Sequence, residues 1–382
     1  MARPFRCFHN WRHSGRASLD FAKRLEKDIA HQRNRREWKT LLNRFGKIGL
    51  ALVLATAGGF SFYALGLPLP WMLGALFFTM VASVRGVPLE APNRIRPAVI
   101  AIIGVMLGAR FTPDVITQAL VWSQALGLLL VYLVLTAATV VPFYRFVGGF
   151  DWPTAYFSGM PGGLTEMIEM GEAIGAKVPP IILAHSLRIV MTIAMIAVWF
   201  RVIQGVSVGA TSFSTPGALG VLDAVLLIGA AILGSFLGTR LRFPAPTFLG
   251  PMAISALLHL TEVTQSAPPG MMVSAAQVIL GCVLGCRFIG IHPRELASAA
   301  WLSFAATGIT MILAVATGTI IQRWTGINLE QAMLALAPGG LTEMGLIALA
   351  IHADVAFVAL NHVVRIIAVL VLAPVTFRLF RK

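Results

Sequence analysis

Pro161-Gly162-Gly163-Leu164-Thr165-Glu166-Met167 recurs letter for letter as Pro338-Gly339-Gly340-Leu341-Thr342-Glu343-Met344, 177 residues further on. In each copy a helix-breaking Pro-Gly-Gly stands inside an apolar region and is followed at once by a hydroxyl and a carboxylate. A seven-residue identity at this distance points to internal duplication. The break itself demands an explanation. Main-chain groups that leave a helix in lipid lose hydrogen bonds worth several kcal/mol each, so such a segment survives only inside protein or beside water.

Working outward, the match continues on both sides. Leu65-Gly66-Leu67-Pro68-Leu69-Pro70 corresponds to Leu241-Arg242-Phe243-Pro244-Ala245-Pro246 at an offset of 176. Gly104, Leu107, Gly108, Arg110 and Phe111 match Gly281, Leu284, Gly285, Arg287 and Phe288 at 177. Downstream, His185, Arg188 and Ile189 match His362, Arg365 and Ile366, also at 177. The glycine pairs are small-xxx-small patterns that let membrane helices approach closely. The expected organisation is a basic cytoplasmic tail over 1–47, a first membrane repeat over 48–203, a Ser/Thr/Gly-rich linker over 204–221 and a second repeat over 222–382.

Composition sets the class. Of 382 residues 57% are hydrophobic and only 12% charged, against about 25% charged in soluble domains. Apolar runs long enough to cross a bilayer as helices recur along the chain. The expectation is an all-α polytopic membrane protein, with first-half spans at 48–67, 71–84, 97–109, 118–143 and 178–200 and an interrupted segment at 153–176.

Charge orients it. Residues 1–47 carry 13 Lys/Arg against 4 Asp/Glu, so the head holds +9 of the net +14. It fits a cytoplasmic tail obeying the positive-inside rule, and no recognition motif points to nucleic acid. If the interrupted segment enters and returns, each half has five crossings and the halves are inverted. The basic groups around Arg85, Arg94, Arg96, Arg240, Arg242, Arg287, Arg294, Arg378, Arg381 and Lys382 then all lie inside. If it spans, each half has six crossings and several of these face outward. The count favours five plus five inverted helices, with both termini cytoplasmic.

Paired broken segments in inverted halves are the best sequence pointer to a transporter's substrate site. The helix restarting after each Pro-Gly-Gly presents free N–H groups and a positive dipole end to an anion, or to Glu166 and Glu343 themselves. A capping role for Thr165-Glu166 and Thr342-Glu343 is the structural alternative. His185 and Arg188, like His362 and Arg365, are three apart and share a helix face. The arginines are expected either to bridge to Glu166 and Glu343 or to form with them a protonatable cluster; Asn361 adds a polar group in the second copy only. Pro161, Gly162, Gly163, Thr165, Glu166, His185, Arg188, Pro338, Gly339, Gly340, Thr342, Glu343, Asn361, His362 and Arg365 are thus the candidate substrate- or ion-binding residues. Asp354 is expected to be exposed. Cys7, Cys282 and Cys286 form no disulfide framework, and no metal or cofactor is expected.

The doubled Pro-Gly-Gly-Leu-Thr-Glu-Met with its downstream His-x-x-Arg, together with the doubled Leu-Gly-x-Arg-Phe, resembles the bacterial AbrB family of membrane proteins over residues 48 to 380. That resemblance implies two copies of one membrane module in a bacterial inner (plasma) membrane. Family labels include an ammonia monooxygenase and a regulator of gene expression. The residues themselves favour a secondary transporter of a small, anionic solute, working in the bilayer as a monomer or homo-oligomer. A membrane-embedded regulator is the alternative. A monooxygenase fits less well, because each His travels with an Arg whose fixed charge opposes a metal cation. An enzyme is therefore not the expected reading.

Overall fold

The computed structural model describes residues 43–67, 69–111, 118–202, 205 and 220–380. Residues 1–42 of the basic tail, Asp114, most of the linker, Arg381 and Lys382 lie outside them. Residues 51–382 form one compact unit. The described chain is helical, with no strand among the described residues.

Among the described residues the first seven helices are α1 (Asn43–Ala64), α2 (Pro70–Val84), α3 (Arg96–Gly108), α4 (Ala119–Pro142, prolonged by a π turn over Phe143–Val147), α5 (Trp152–Gly159), α6 (Leu164–Ala173) and α7 (Val178–Val202). The next seven are α8 (Val221–Arg240), α9 (Pro246–Leu260), α10 (Gly270–Gly285), α11 (Pro293–Thr325), α12 (Leu329–Leu336), α13 (Leu341–Ala350) and α14 (Val355–Phe380). Helices α1, α4, α7, α8, α10 with its following turn, α11 and α14 are long and apolar enough to cross a membrane, whereas α2, α3 and α9 are shorter apolar helices. This is an all-α polytopic membrane protein.

Local backbone recurs at the spacing of the motifs. Leu69 and Ala245, each just before the proline that starts α2 or α9, are both left-handed, with φ of 44° and 50°. Proline then fits the first helical turn, where its missing N–H costs nothing. Among the described residues, the remaining non-glycine residues of positive φ are Arg242, Glu262 and His352. They stand where the first half has Gly66, Gly86 and Gly175, also at positive φ.

Glycines set the packing of one bundle. A Cβ on Gly74 would strike the backbone of Gly58, joining α1 to α2, and one on Gly250 would strike Gly234, joining α8 to α9. Gly104 lies on Phe248 and Gly108 on Met252 and Ala256, so α3 and α9 advance together and run parallel. Gly281 on Met72 and Gly285 on Leu76 and Met80 do the same for α10 and α2. Such close approach is what small residues permit in lipid, where dispersion rather than water drives association. Helices α4–α7 and α11–α14 form a second bundle, in which α11 packs on α4 and α7, and α14 packs on α4.

The interrupted segment of the first half returns to where it entered. The Lys177 N–H, just before α7, donates to Thr154 Oγ1 near the start of α5 at 2.9 Å. Its tip lies against Arg188, ten residues into α7, or roughly 15 Å along it at 1.5 Å per residue. Two residues beyond Thr154, the Tyr156 hydroxyl donates to the Ala373 carbonyl near the end of α14 at 2.8 Å. The beginning of α7 and the end of α14 therefore lie on the same side of the bundle.

Candidate functional site

Each break has the same backbone. Helix α5 ends in extended Met160 (φ −65°, ψ 135°) and α12 in extended Ala337 (φ −51°, ψ 138°). Extended Gly163 and Gly340 precede α6 and α13. Proline and paired glycines stop one helix and start the next within four residues. That leaves orphan carbonyls at the first end and orphan N–H groups at the second.

The arginines serve the carbonyl ends. Arg188 donates from Nη1 to Met160 O and from Nη2 to Gly162 O, both at 3.0 Å. Arg365 repeats this, donating to Ala337 O at 2.5 Å and to Gly339 O at 2.8 Å. The expected bridges to Glu166 and Glu343 are thus replaced by a two-pronged clamp on the main chain. The physical reason is that a guanidinium offers a planar fork of donors, and the negative end of a short helix attracts a cation as a carboxylate would.

The glutamates serve the N–H ends. Glu166 and Glu343 stand in the first turns of α6 and α13, and each carboxylate folds back over Gly163 or Gly340, where only a missing side chain leaves room. Thr342 Oγ1 also donates to Glu343 Oε2 at 2.8 Å. Negative charge at a helix N-terminus is stabilised there. Glu343 is buried, at 7% exposure, whereas Glu166 is half-buried and Thr165 exposed. Thus each break matches both helix dipoles with a fixed charge of the right sign.

The histidines differ between copies. His185 Nε2 bonds Phe157 O of α5 at 2.8 Å, so it ties the interrupted segment to α7. His362 turns the other way, with Nδ1 on Val358 O of its own helix at 3.0 Å. Asn361 likewise bonds within α14, from Nδ2 to Phe357 O at 2.9 Å. His185 Nδ1, His362 Nε2 and Asn361 Oδ1 are buried without a hydrogen-bond partner. Asp354, expected to be exposed, is partly buried. It accepts from the N–H groups of Ala356 and Phe357 and so caps α14.

The two breaks meet. Pro161 and Pro338 line one cavity of about 10 Å³, together with Arg188, Thr136, Ser158 and Thr307. A volume near 10–15 Å³ holds about one water. Arg188 Nε and the hydroxyls of Thr136, Ser158 and Thr307 are buried there without partners. These three hydroxyls escape a search for repeated residues, because Leu313, Ala335 and Leu130 stand at the equivalent positions. Scattered Ser and Thr within apolar spans were the only available signal. Arg287, read from sequence as an inside loop charge, is partly buried with Nη1 unpartnered, and it interacts electrostatically with Glu343 and Arg96.

Comparison with known proteins places this arrangement. A "Putative regulator AbrB" of Escherichia coli (strain K12) is 26% identical over 334 residues, covering 85% of this chain and 94% of that protein. An "Uncharacterized protein YhjN" of Bacillus subtilis (strain 168) is 27% identical over 352 residues, covering 86% and 91%. The family model described as "Transition state regulatory protein AbrB" matches residues 71–381, and the chain therefore belongs to the AbrB family.

Proposed function

We propose that the chain is a secondary transporter of a small anionic solute, with its site where the two Pro-Gly-Gly breaks meet. The observation that carries this reading is a cavity lined by both Pro161 and Pro338. Broken helices near mid-membrane, at the interface of two repeats, are where transporters hold substrate. Unpartnered donors at Arg188 Nε, Thr136, Ser158 and Thr307 suit an oxyanion. With room for about one water, the cavity is too small for such a solute, and loading it requires the surrounding helices to separate.

In this reading the halves are inverted, with five crossings each. The antiparallel relation of α7 and its counterpart α14 supports it, since one begins where the other ends. So does the parallel packing of α2 with α10 and of α3 with α9, given that consecutive spans alternate. Arg201 at the end of α7 donates to Gly66 O in the α1–α2 turn, which puts both on the outer side if the termini are cytoplasmic. The membrane is then the bacterial inner membrane.

The test is uptake of radiolabelled small organic anions into proteoliposomes, with and without a pH gradient. Uptake that depends on Glu166 and Glu343 supports the site. Uptake unchanged in both Glu166→Gln and Glu343→Gln overturns it. Labelling of single cysteines placed beside Arg201 and Arg323 tests the topology. Both are expected outside, and finding both in the cytoplasm rejects inversion.

A further inference from the structure

A second, larger cavity of about 360 Å³ lies between α4, α5 and α14. Its wall is apolar and includes Ala137, Val141, Met160, Pro161, Val369 and Leu372. The hydroxyls at its edge, Tyr156 and Thr376, are bonded to each other at 2.5 Å, and Tyr156 is also bonded to Ala373 O. Water needs two to four polar partners to settle in a cavity, and the one unpartnered buried side-chain group among the lining residues is the Trp152 indole N–H. Yet the groove is far larger than the voids close packing tolerates, and side chains facing a void lose dispersion contacts outright.

In a bilayer the groove would open onto hydrocarbon. Helices α4 and α14 are membrane-spanning, and the side chains beside its opening are exposed and apolar: Val134 at 63%, Val371 at 59% and Val375 at 53%. The inner end touches Met160 and Pro161 of the first break. Pro161 also lines the small polar cavity on its other side. At the positions equivalent to Leu372 and Thr376 the other half carries Met195 and Trp199, both packed against the core.

We propose that one acyl chain of a bilayer phospholipid occupies this groove and buttresses the first break at Met160–Pro161, where the other half has the larger Trp199 in place of Thr376. No charged side chain lines the groove, so the chain is held and the headgroup is not read. The site does not depend on what the protein transports.

The experiment uses the full chain in proteoliposomes containing phosphatidylcholine with a photoreactive diazirine in mid-acyl chain, followed by peptide mass spectrometry. Labelling is expected on the peptide from Trp152 to Met160 as well as on lipid-facing Ile232 of α8. Thr376→Trp should abolish the former and leave the latter, and thermal stability of this variant should no longer fall on delipidation. Should that variant not fold, Ala137→Leu fills the same groove from α4 and must give the same loss. An α5 peptide that stays unlabelled while Ile232 is labelled overturns the proposal. So does labelling that survives both substitutions, or a crosslink joining this groove to a second copy of the chain.

Discussion

The Tyr156 hydroxyl donates to the Ala373 carbonyl at 2.8 Å across 217 residues, joining the first interrupted segment to the last helix of the second half. Its ring also packs edge-on against Phe377. Tyr156→Phe keeps the ring and removes this bond together with the one to Thr376 Oγ1, so it should cost about 0.6 kcal/mol per bond, with about 1.7 as the upper limit for interhelical bonds in membranes. Thermal unfolding in detergent measures this, and an unchanged midpoint would show that neither bond contributes.

The arginine clamp and the glutamates at the helix starts make predictions of very different size for stability. Removing Arg365 orphans two buried carbonyls, each bond to a charged donor contributing about 1.5–3 kcal/mol. Arg365→Gln should therefore unfold or strongly destabilise the protein. Glu166→Gln loses only a charge at a helix N-terminus, a matter of about 0.3–1 kcal/mol at partial exposure. If Glu166→Gln proved as damaging as Arg188→Gln, an ion pair between them would be indicated instead.

Gly163 and Gly340 separate folding from function. Both have ordinary φ values, −72° and −78°, so alanine meets no backbone strain. Its Cβ would collide with the folded-back carboxylate of Glu166 or Glu343, and a flexible side chain can move aside. Gly163→Ala and Gly340→Ala should fold with nearly native thermal midpoints and lose anion uptake in proteoliposomes. Native uptake in both would remove the carboxylate position from the mechanism.

Helix α8 contains its own control. Gly229 has open space where a Cβ would point, while Gly234 meets the backbone of Gly250 and Pro251. Gly229→Ala should stabilise by about 0.5–1 kcal/mol through helix propensity. Gly234→Ala must push two helices apart, an overpacking cost of about 1–3 kcal/mol. The order of the two unfolding midpoints checks the claimed contact between α8 and α9.

Much of the fold was legible because its causes are local. Prolines at 70 and 246, glycines four apart in α3 and α10, and long apolar runs fix helix ends and contact faces without reference to distant residues. The expected spans fall within a few residues of α1 to α4 and α7. The breaks were visible for the same reason, since Pro-Gly-Gly stops a helix wherever it occurs.

Sequence by itself thus determined that the chain is a membrane protein, that its motifs recur 177 residues apart, and that two charged breaks stand at matching places. Tertiary structure decided which partner each charge takes. From spacing alone Arg188 and Arg365 were as free to choose the glutamates as the main chain. They bind carbonyls because α5 and α12 end beside them, an adjacency created only when the segment folds back along α7 or lies against α14. The difference between His185 and His362, and the meeting of Pro161 with Pro338 around unrepeated hydroxyls, likewise depend on how helices 177 residues apart are brought together. No local pattern encodes that distance.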